Sequence, residues 1–276
     1  MNIGCCSWSF QKPLAEVAGE MKKLDVHYLH LATMPFLAGD ARHGGNAAAD
    51  DRALVERLLA AGEWHIAGAM LSFPYEDYST IERIRYTGGI VPDEHWEEYK
   101  GLIRGAVKLG AEWKAPFMML HAGFLDESDP VAKQKYLDRI RFLVDVAGES
   151  GLGVALETGQ ETANELLRFL NEVPEVFVNF DPANMILYGK GNPVEAVKLL
   201  GSRIRGVHIK DAKVSANPGV EWGCEVPWGD GEVNTDAFLA ALKATGFNDT
   251  VAVEREAGND RAGDIALAVS RLRAAL

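Results

Sequence analysis

Short apolar runs alternate with longer amphipathic segments along the whole chain. The short runs predict eight buried strands, at 2–8, 26–32, 64–71, 116–121, 153–157, 176–181, 206–209 and 250–254. The segments between them carry apolar residues at i, i+3, i+4 and i+7, which predicts helices, among them 49–61, 93–109, 130–150, 161–171 and 193–200. Asn192 and Pro193 form a helix start and Gly201 a helix stop, and a further helix is predicted to open at 234–236 and to close at Gly246.

The alternation of strands and helices predicts an α/β fold. It favours parallel strands joined by right-handed crossovers, and eight repeats suit a closed (β/α)8 TIM barrel. An open doubly wound sheet is the alternative. Such a sheet usually has a Gly-rich phosphate turn after its first strand, and residues 7–10 (SWSF) form no such turn. No linker or shift in composition interrupts the pattern, so residues 1–276 are predicted to form one domain.

Four ionisable residues stand at the ends of the last four predicted strands: Glu157, Asp181, His208 and Glu254. The functional face of a TIM barrel is built from the carboxyl ends of its strands, so we expect the four side chains to converge. Each has a structural explanation when taken alone, such as an ion pair, a helix cap or a satisfied core histidine. One divalent cation explains them together, because acids are rarely buried without partners. Oxygen and imidazole ligands suit manganese, magnesium, cobalt or zinc.

The ligand set predicts a reaction class. A cation that keeps open positions can hold two neighbouring oxygens of a hydroxy-carbonyl compound and stabilise an enediolate. Glu157 and Glu254 come from the fifth and eighth strands and can flank the substrate carbon as acid and base. The predicted activity is therefore isomerisation, or epimerisation beside a ketone, of a monosaccharide or related polyol.

Other residues on the same face are candidate substrate contacts. His121 ends the fourth strand and either touches substrate or packs. Lys210 could reach a substrate oxygen or pair with an acid. Arg255 could meet a phosphate or carboxylate or form a structural ion pair. Trp8 and His30, at the ends of the first two strands, are candidates to line the pocket.

Two long connections lie on this face. Segment 72–92 is rich in aromatic residues and could close over a sugar or form a contact in a homo-oligomer. Segment 222–231, within the long connection 213–233 after the seventh strand, is rich in Gly and Trp and is positioned to cover the site. Its length predicts a lid or a specificity element rather than a linker.

Composition narrows the classes of partner. The 28 basic and 40 acidic residues give a formal charge of −12 with no basic run, which argues against a nucleic-acid-binding protein but not against a small anionic substrate. The amino terminus has no signal-like segment, and no apolar stretch approaches membrane-spanning length. The three cysteines form no disulfide framework and no CxxC motif. The chain is predicted to be cytoplasmic and to bind neither nucleic acid nor membrane.

Five segments carry a resemblance to a known family. The chain resembles the sugar phosphate isomerase/epimerase family of the xylose-isomerase-like TIM-barrel superfamily at 155–158 (ALET), 179–189 (NFDPANMILYG), 205–212 (RGVHIKDA), 228–233 (WGDGEV) and 253–256 (VERE). The likeness is strongest from 153 to 256 and fades in the first 110 residues. It implies metal ligation by Glu157, Asp181, His208 and Glu254, with the two glutamates as the acid–base pair.

The same superfamily includes abasic-site endonucleases with a three-zinc cluster, and His121 resembles one of their ligands. Two departures argue against that activity here. Asn184 stands where that family has a histidine ligand, and no Asp-x-His pair follows His208. In the sugar enzymes the same histidine often contacts substrate, and Asn184 can hydrogen-bond a hydroxyl but cannot carry a proton. The remaining alternatives are a lyase that dehydrates a ketone such as an inosose, and a non-catalytic metal-binding barrel.

Overall fold

The computed structural model describes residues 1–37 and 47–276. Its strands are β1 (Asn2–Cys6), β2 (Tyr28–Ala32), β3 (His65–Met70), β4 (Phe117–Leu120), β5 (Gly153–Glu157), β6 (Val176–Phe180), β7 (Ile204–Ile209), β8 (Asp211–Lys213), β9 (Cys224–Val226) and β10 (Thr250–Val253). All except β8 and β9 pair in parallel and close a barrel in which β10 lies between β7 and β1. Strands β8 and β9 form a separate antiparallel pair. The closed barrel confirms the predicted TIM-barrel fold. The assignment of residues 1–276 to one domain stays a prediction.

Helices connect the barrel strands. They are α1 (Leu14–Lys23), α2 (Ala47–Ala60), α3 (Ile81–Thr87), α4 (Trp96–Glu112), α5 (Pro130–Glu149), α6 (Ala163–Glu172), α7 (Pro182–Leu187), α8 (Pro193–Leu200), α9 (Thr235–Ala244) and α10 (Arg261–Ala275). The predicted start of α8 is confirmed, because the Asn192 side chain accepts hydrogen bonds from the amides of Val194 and Glu195. The helix ends at Gly201, whose φ is +45°. No helix in the described part of the chain is long and apolar enough to cross a membrane.

Three departures from the predicted elements lie near the mouth of the barrel. The first strand ends at Cys6 rather than at residue 8, because Ser7–Phe10 turns into a 3-10 helix. Helix α7 was not predicted, since residues 182–186 are buried on all sides and show no polar face. The β8–β9 pair was not predicted either, because antiparallel strands three residues long leave little periodic signal.

An apolar plug fills the barrel beneath its carboxyl-end mouth. Phe117, Met119 and Ala155 form this cluster, with Met70 and Phe177 packed against it. A Cβ atom on Gly206 would lie 2.9 Å from the Phe117 ring, so glycine is what leaves room for that ring. The plug excludes water from below, and the polar side chains of the mouth rest on it.

Candidate active site

The four strand-end residues converge at the mouth of the barrel. Ligand atoms of Glu157, Asp181, His208 and Glu254 all lie within 4.8 Å of one another. None of these residues is more than 4% exposed. His208 Nδ1 occupies the centre, 3.1 Å from Glu157 Oε1, 3.4 Å from Glu254 Oε2 and 3.8 Å from Asp181 Oδ2. The spacing is small enough for one cation to contact all four groups.

The hydrogen bonding of two buried carboxylate oxygens indicates whether the four residues could hold a cation. Glu157 Oε2 and Asp181 Oδ2 have no hydrogen-bond partner among the described residues. The other oxygen of Asp181 accepts the amide of Asn184 at 2.9 Å and caps helix α7. An unpaired buried polar group costs about 1–3 kcal/mol. The two oxygens are therefore free to act as ligands, and the donor set suits a divalent cation.

The electrostatics of the cluster favour positive charge. Burial raises the pKa of Asp181 to about 7, in spite of the nearby Lys210 ammonium group. Burial also opposes ionisation of Glu157, but the imidazoles of His208 and His121 outweigh it and lower the pKa of Glu157. Burial would lower the pKa of His208, yet neighbouring groups, Glu254 and Glu157 among them, hold that pKa well above its usual value. The three shifts arise from burial and from the charges of neighbouring groups in the cluster.

His30 lies beneath His208 and does not line the cavity, so the expected pocket-lining role was wrong. It sits within β2 below the rim, is 0% exposed, and places Nδ1 3.0 Å from His208 Nε2. The side-chain amide of Asn179 lies 3.2 Å from the same nitrogen. If His208 offers Nδ1 to a cation, its proton is on Nε2 and is donated to His30. His30 thereby fixes the tautomer and orientation of His208.

A cavity of about 710 Å³ opens above the cluster. Its floor includes Trp8, His121, Asn184, Lys210 and Glu254, all of them predicted site residues. The 3-10 turn after β1 directs Trp8 into the cavity, where its indole Nε1 donates to Glu254 Oε1 at 2.8 Å. Trp8 thus contributes a hydrogen-bond donor as well as an aromatic face.

Two residues of the cavity floor contact Glu157. The Asn184 amide donates to Glu157 Oε1 at 3.1 Å, and His121 Nε2 lies 3.5 Å from the same oxygen. Asn184 stands in the first turn of α7, directly after β6, which brings it level with the strand ends. Both side chains orient the carboxylate while they face the cavity.

Lys210 is the buried cation of the cavity wall. Its Nζ lies 2.9 Å from Glu254 Oε2, 2.5 Å from Glu256 Oε2 and 4.0 Å from Glu225 Oε2. The last two acids line the cavity and were not predicted as site residues. Glu256 stands two positions after Glu254, a spacing that could have signalled it. Glu225 lies in β9 and carried no comparable signal.

The structure does not bring Arg255 into the cavity. Its Nη1 lies 2.5 Å from Glu225 and its Nε lies 2.9 Å from Asp264. Arg255 is 6% exposed and does not line the cavity wall. Of the two predicted alternatives, the structural ion pair is the one observed. A substrate contact by Arg255 stays a prediction.

Both long connections border the cavity. Segment 72–92 contributes Phe73 and Tyr78, and segment 213–233 contributes Trp222. The Trp222 indole donates to the Tyr78 carbonyl at 3.0 Å, which joins the two connections. The Trp222 ring also meets the ring of Tyr188 edge-on, with centroids 4.7 Å apart. The two connections thus form an aromatic upper wall above the polar floor.

Comparisons with known proteins agree with the barrel fold. The profile of the xylose isomerase-like TIM-barrel family matches residues 48–275. A xylose isomerase domain protein from Planctomyces limnophilus is 30% identical over 93% of this chain and 90% of its own, with a TM-score of 0.81.

Two more distant structures share the fold. The probable 3-DHS dehydratase of petrobactin synthesis from Bacillus anthracis is 19% identical over 99% of both chains, with a TM-score of 0.72. An L-ribulose 3-epimerase is 16% identical over 100% of this chain and 95% of its own, also with a TM-score of 0.72. At these identities the likeness shows the fold alone. A search of curated proteins finds no match.

Proposed function

The chain belongs to the xylose isomerase-like TIM-barrel family, and from that premise we propose that it is a divalent-metal-dependent isomerase or epimerase. The proposed substrate is a monosaccharide or a related hydroxy-carbonyl compound. The reaction is proton transfer at the carbon next to the carbonyl. The carbohydrate epimerase among its structural neighbours supports this reaction class.

One observation carries the proposal. Three carboxylates and one imidazole are buried together at the floor of a cavity, and two of the carboxylate oxygens have no hydrogen-bond partner among the described residues. Acids on the surface are hydrated and are not buried together in this way. In a structural ion-pair network, the two oxygens would have hydrogen-bond partners. Glu157, Asp181, His208 and Glu254 would hold the cation. When bound, a divalent cation polarises a substrate carbonyl as a Lewis acid.

The chain itself supplies the proton transfer. Glu157 is the last residue of β5 and Glu254 follows β10, with β6 and β7 between them, so the two carboxylates face the substrate from different directions. One removes the proton beside the carbonyl. The other returns a proton, to the opposite face in epimerisation or to the neighbouring carbon in isomerisation.

The surrounding side chains orient these two groups. Trp8 and Lys210 hold the two oxygens of Glu254, at 2.8 and 2.9 Å. Asn184 holds Glu157 and faces the cavity, where it can also accept or donate a hydrogen bond to a sugar hydroxyl. The plug below the site limits access of water from the barrel interior.

A dehydratase on the same scaffold is the second candidate. Lys210 favours it, because a buried ammonium group on the cavity wall could give a proton to a leaving hydroxyl after the adjacent carbon has lost its proton. The dehydratase among the structural neighbours supports the same reaction class. Loss of one water from the product identifies this activity, whereas an unchanged mass supports isomerisation or epimerisation.

Partners and location follow from the same proposal. The formal charge of −12 and the acidic cavity support a small carbohydrate rather than nucleic acid as the ligand. A cytoplasmic location and a homo-oligomeric state remain predictions from the sequence.

Deuterium exchange tests the proposed reaction directly. The protein is incubated in D₂O with Mn²⁺ and a panel of ketoses, aldoses and cyclic polyol ketones, and NMR follows the carbon next to each carbonyl. We expect enzyme-dependent deuterium uptake at that carbon for at least one compound. Uptake that does not depend on added metal, or its absence across the panel, would contradict the proposal.

A further inference from the structure

The cations at the cavity are already paired with carboxylates. Lys210 Nζ lies 2.9 Å from Glu254 and 2.5 Å from Glu256. The Arg255 guanidinium is turned away and lies 2.5 Å from Glu225. An anionic substrate would therefore have to break a buried ion pair to gain either of these cations as a partner.

Acidic side chains outnumber basic ones among the described residues of the cavity wall. Among the described residues the acidic and ammonium side chains that line it are Glu76, Glu225, Glu254, Glu256 and Lys210. Glu225 is held in place by backbone amides after β10, including that of Glu256 at 2.9 Å. A phosphate or carboxylate group would meet like charge here, whereas a neutral hydroxyl can donate a hydrogen bond to these acids.

The upper part of the cavity has a different chemistry. Trp222, Tyr188, Phe73 and Tyr78 contribute aromatic surface there. Trp222 is oriented by its hydrogen bond to the Tyr78 carbonyl and by its edge-on contact with Tyr188. An aromatic surface of this kind suits a flat, uncharged group better than an anionic one.

The cavity is also larger than a single sugar ring needs. Its volume of about 710 Å³ lies within the range of roughly 300–1,000 Å³ that holds drug-sized ligands. A monosaccharide placed on the polar floor leaves the aromatic upper part open.

We infer that the substrate is an uncharged carbohydrate of more than one unit rather than a sugar phosphate. The reacting keto sugar would lie on the floor near Lys210, and a neutral second unit would lie against Trp222 and Tyr188. This inference rests on the proposed function, because it assigns the floor of the cavity to the reacting carbonyl unit.

Three compounds with the same reacting unit provide the test. D-fructose, D-fructose 6-phosphate and isomaltulose differ only in what the oxygen at carbon 6 carries: hydrogen, phosphate or a neutral glucosyl group. Calorimetric titration of the full chain at one fixed Mn²⁺ concentration gives the three dissociation constants. We expect isomaltulose to bind most tightly, about tenfold or more tighter than D-fructose 6-phosphate.

Two variants assign the effect to the cavity wall. Glu256→Gln removes one carboxylate from Lys210 and should raise the affinity for D-fructose 6-phosphate relative to isomaltulose by about threefold or more. Trp222→Ala should remove most of the advantage of isomaltulose over D-fructose. Tyr86→Ala is the control, because Tyr86 lies in the aromatic connection 72–92 that Trp222 contacts, is 68% exposed and does not line the cavity.

The results separate the inference from the proposed function. Binding of D-fructose 6-phosphate as tightly as isomaltulose, or of isomaltulose no more tightly than D-fructose, overturns the inference. Deuterium uptake from solvent is measured on the same three compounds and tests the proton transfer independently. Uptake into the phosphate ester alone would leave the proposed reaction standing and the inferred substrate class wrong.

Discussion

The two halves of the barrel contribute differently to the site. The second half, from β5 to β10, provides the buried ionisable groups at its strand ends, Glu157, Asp181, His208 and Glu254. The first half provides side chains that contact three of those groups. Trp8 donates to Glu254, His30 lies against His208, and His121 lies 3.5 Å from Glu157.

This division separates reactive groups from the groups that orient them. The proposed ligand set lies within one continuous stretch of the chain, which is why its order and spacing can be recognised in the sequence. The supporting set is spread over β2 and the turns that follow β1 and β4, and each of its members contacts one group of the second half. Loss of a second-half group should therefore remove function, and loss of a first-half group should weaken it.

Metal removal should have the largest effect, because it removes what the second half is proposed to hold. Dialysis against a chelator should abolish deuterium exchange, and added Mn²⁺ or Mg²⁺ should restore it. Metal should also stabilise the fold, by about 2.7 kcal/mol at a concentration one hundred times its Kd. Thermal melts with and without metal measure this shift. Full activity at trace metal content would remove the cation from the mechanism.

Glu157→Gln and Glu254→Gln should each lower turnover by about 10²–10⁴-fold, because glutamine cannot carry the proton. Metal content, measured on the same samples, separates loss of proton transfer from loss of ligation. Glu175→Gln, at an exposed glutamate just before β6, is the control and should retain full turnover. Activity retained in either active-site variant would exclude that residue from proton transfer.

His30→Phe tests whether a residue of the first half affects metal binding by orienting His208. The ring is retained but the acceptor for His208 Nε2–H is lost, so metal affinity should fall by about 10–100-fold. Titration of the metal into the metal-free protein measures the change. His30→Gln keeps a hydrogen-bonding group and should recover part of the affinity. An unchanged affinity in His30→Phe would mean that other contacts fix the His208 ring.

Trp8→Phe should have a smaller effect, about a tenfold loss of turnover, because it removes one hydrogen bond to a charged group. The control is Trp113→Phe, since the buried indole nitrogen of Trp113 has no hydrogen-bond partner within residues 1–37 and 47–276. Equal effects of the two substitutions on kcat would show that the hydrogen bond to Glu254 contributes nothing.

Asn192→Ala should have the smallest effect on the site. It removes the cap of α8, which lies in the second half but does not line the cavity, and should lower the free energy of unfolding by about 1 kcal/mol. Turnover should stay at the level of the unchanged protein. A clear fall in turnover would show that turnover is sensitive to substitutions throughout the second half and not only at its strand ends.

The fold and the convergence of the four strand-end groups could be predicted from the sequence because both depend on local patterns. Strand β5 was predicted at its observed bounds, and a charged residue at the end of an apolar run marks the rim. How far His30 lies below the mouth of the barrel depends on the register of β2 against its neighbouring strands. His30 pairs with Cys6 and stands two residues before the end of β2, and neither fact is visible in an apolar run.

The residues of the cavity wall were harder to predict from the sequence, because their positions depend on the paths of loops. Glu225 reaches Lys210 and Arg255 only because β9 folds back onto β8. Arg255 could have met a substrate anion or an acid, and only the position of Glu225 selects the ion pair. Periodicity carries no information about contacts of this kind between distant segments.

The hydrogen bond between Trp222 and Tyr78 has a consequence for timing. A neutral hydrogen bond contributes only about 1 kcal/mol, so this bridge over the cavity breaks and forms again by thermal motion. Loops move within nanoseconds to microseconds, whereas typical enzymes turn over about 1–1,000 times per second. The bridge therefore opens many times during each catalytic cycle. It shapes the cavity without setting the residence time of a ligand, which depends instead on the contacts at the floor.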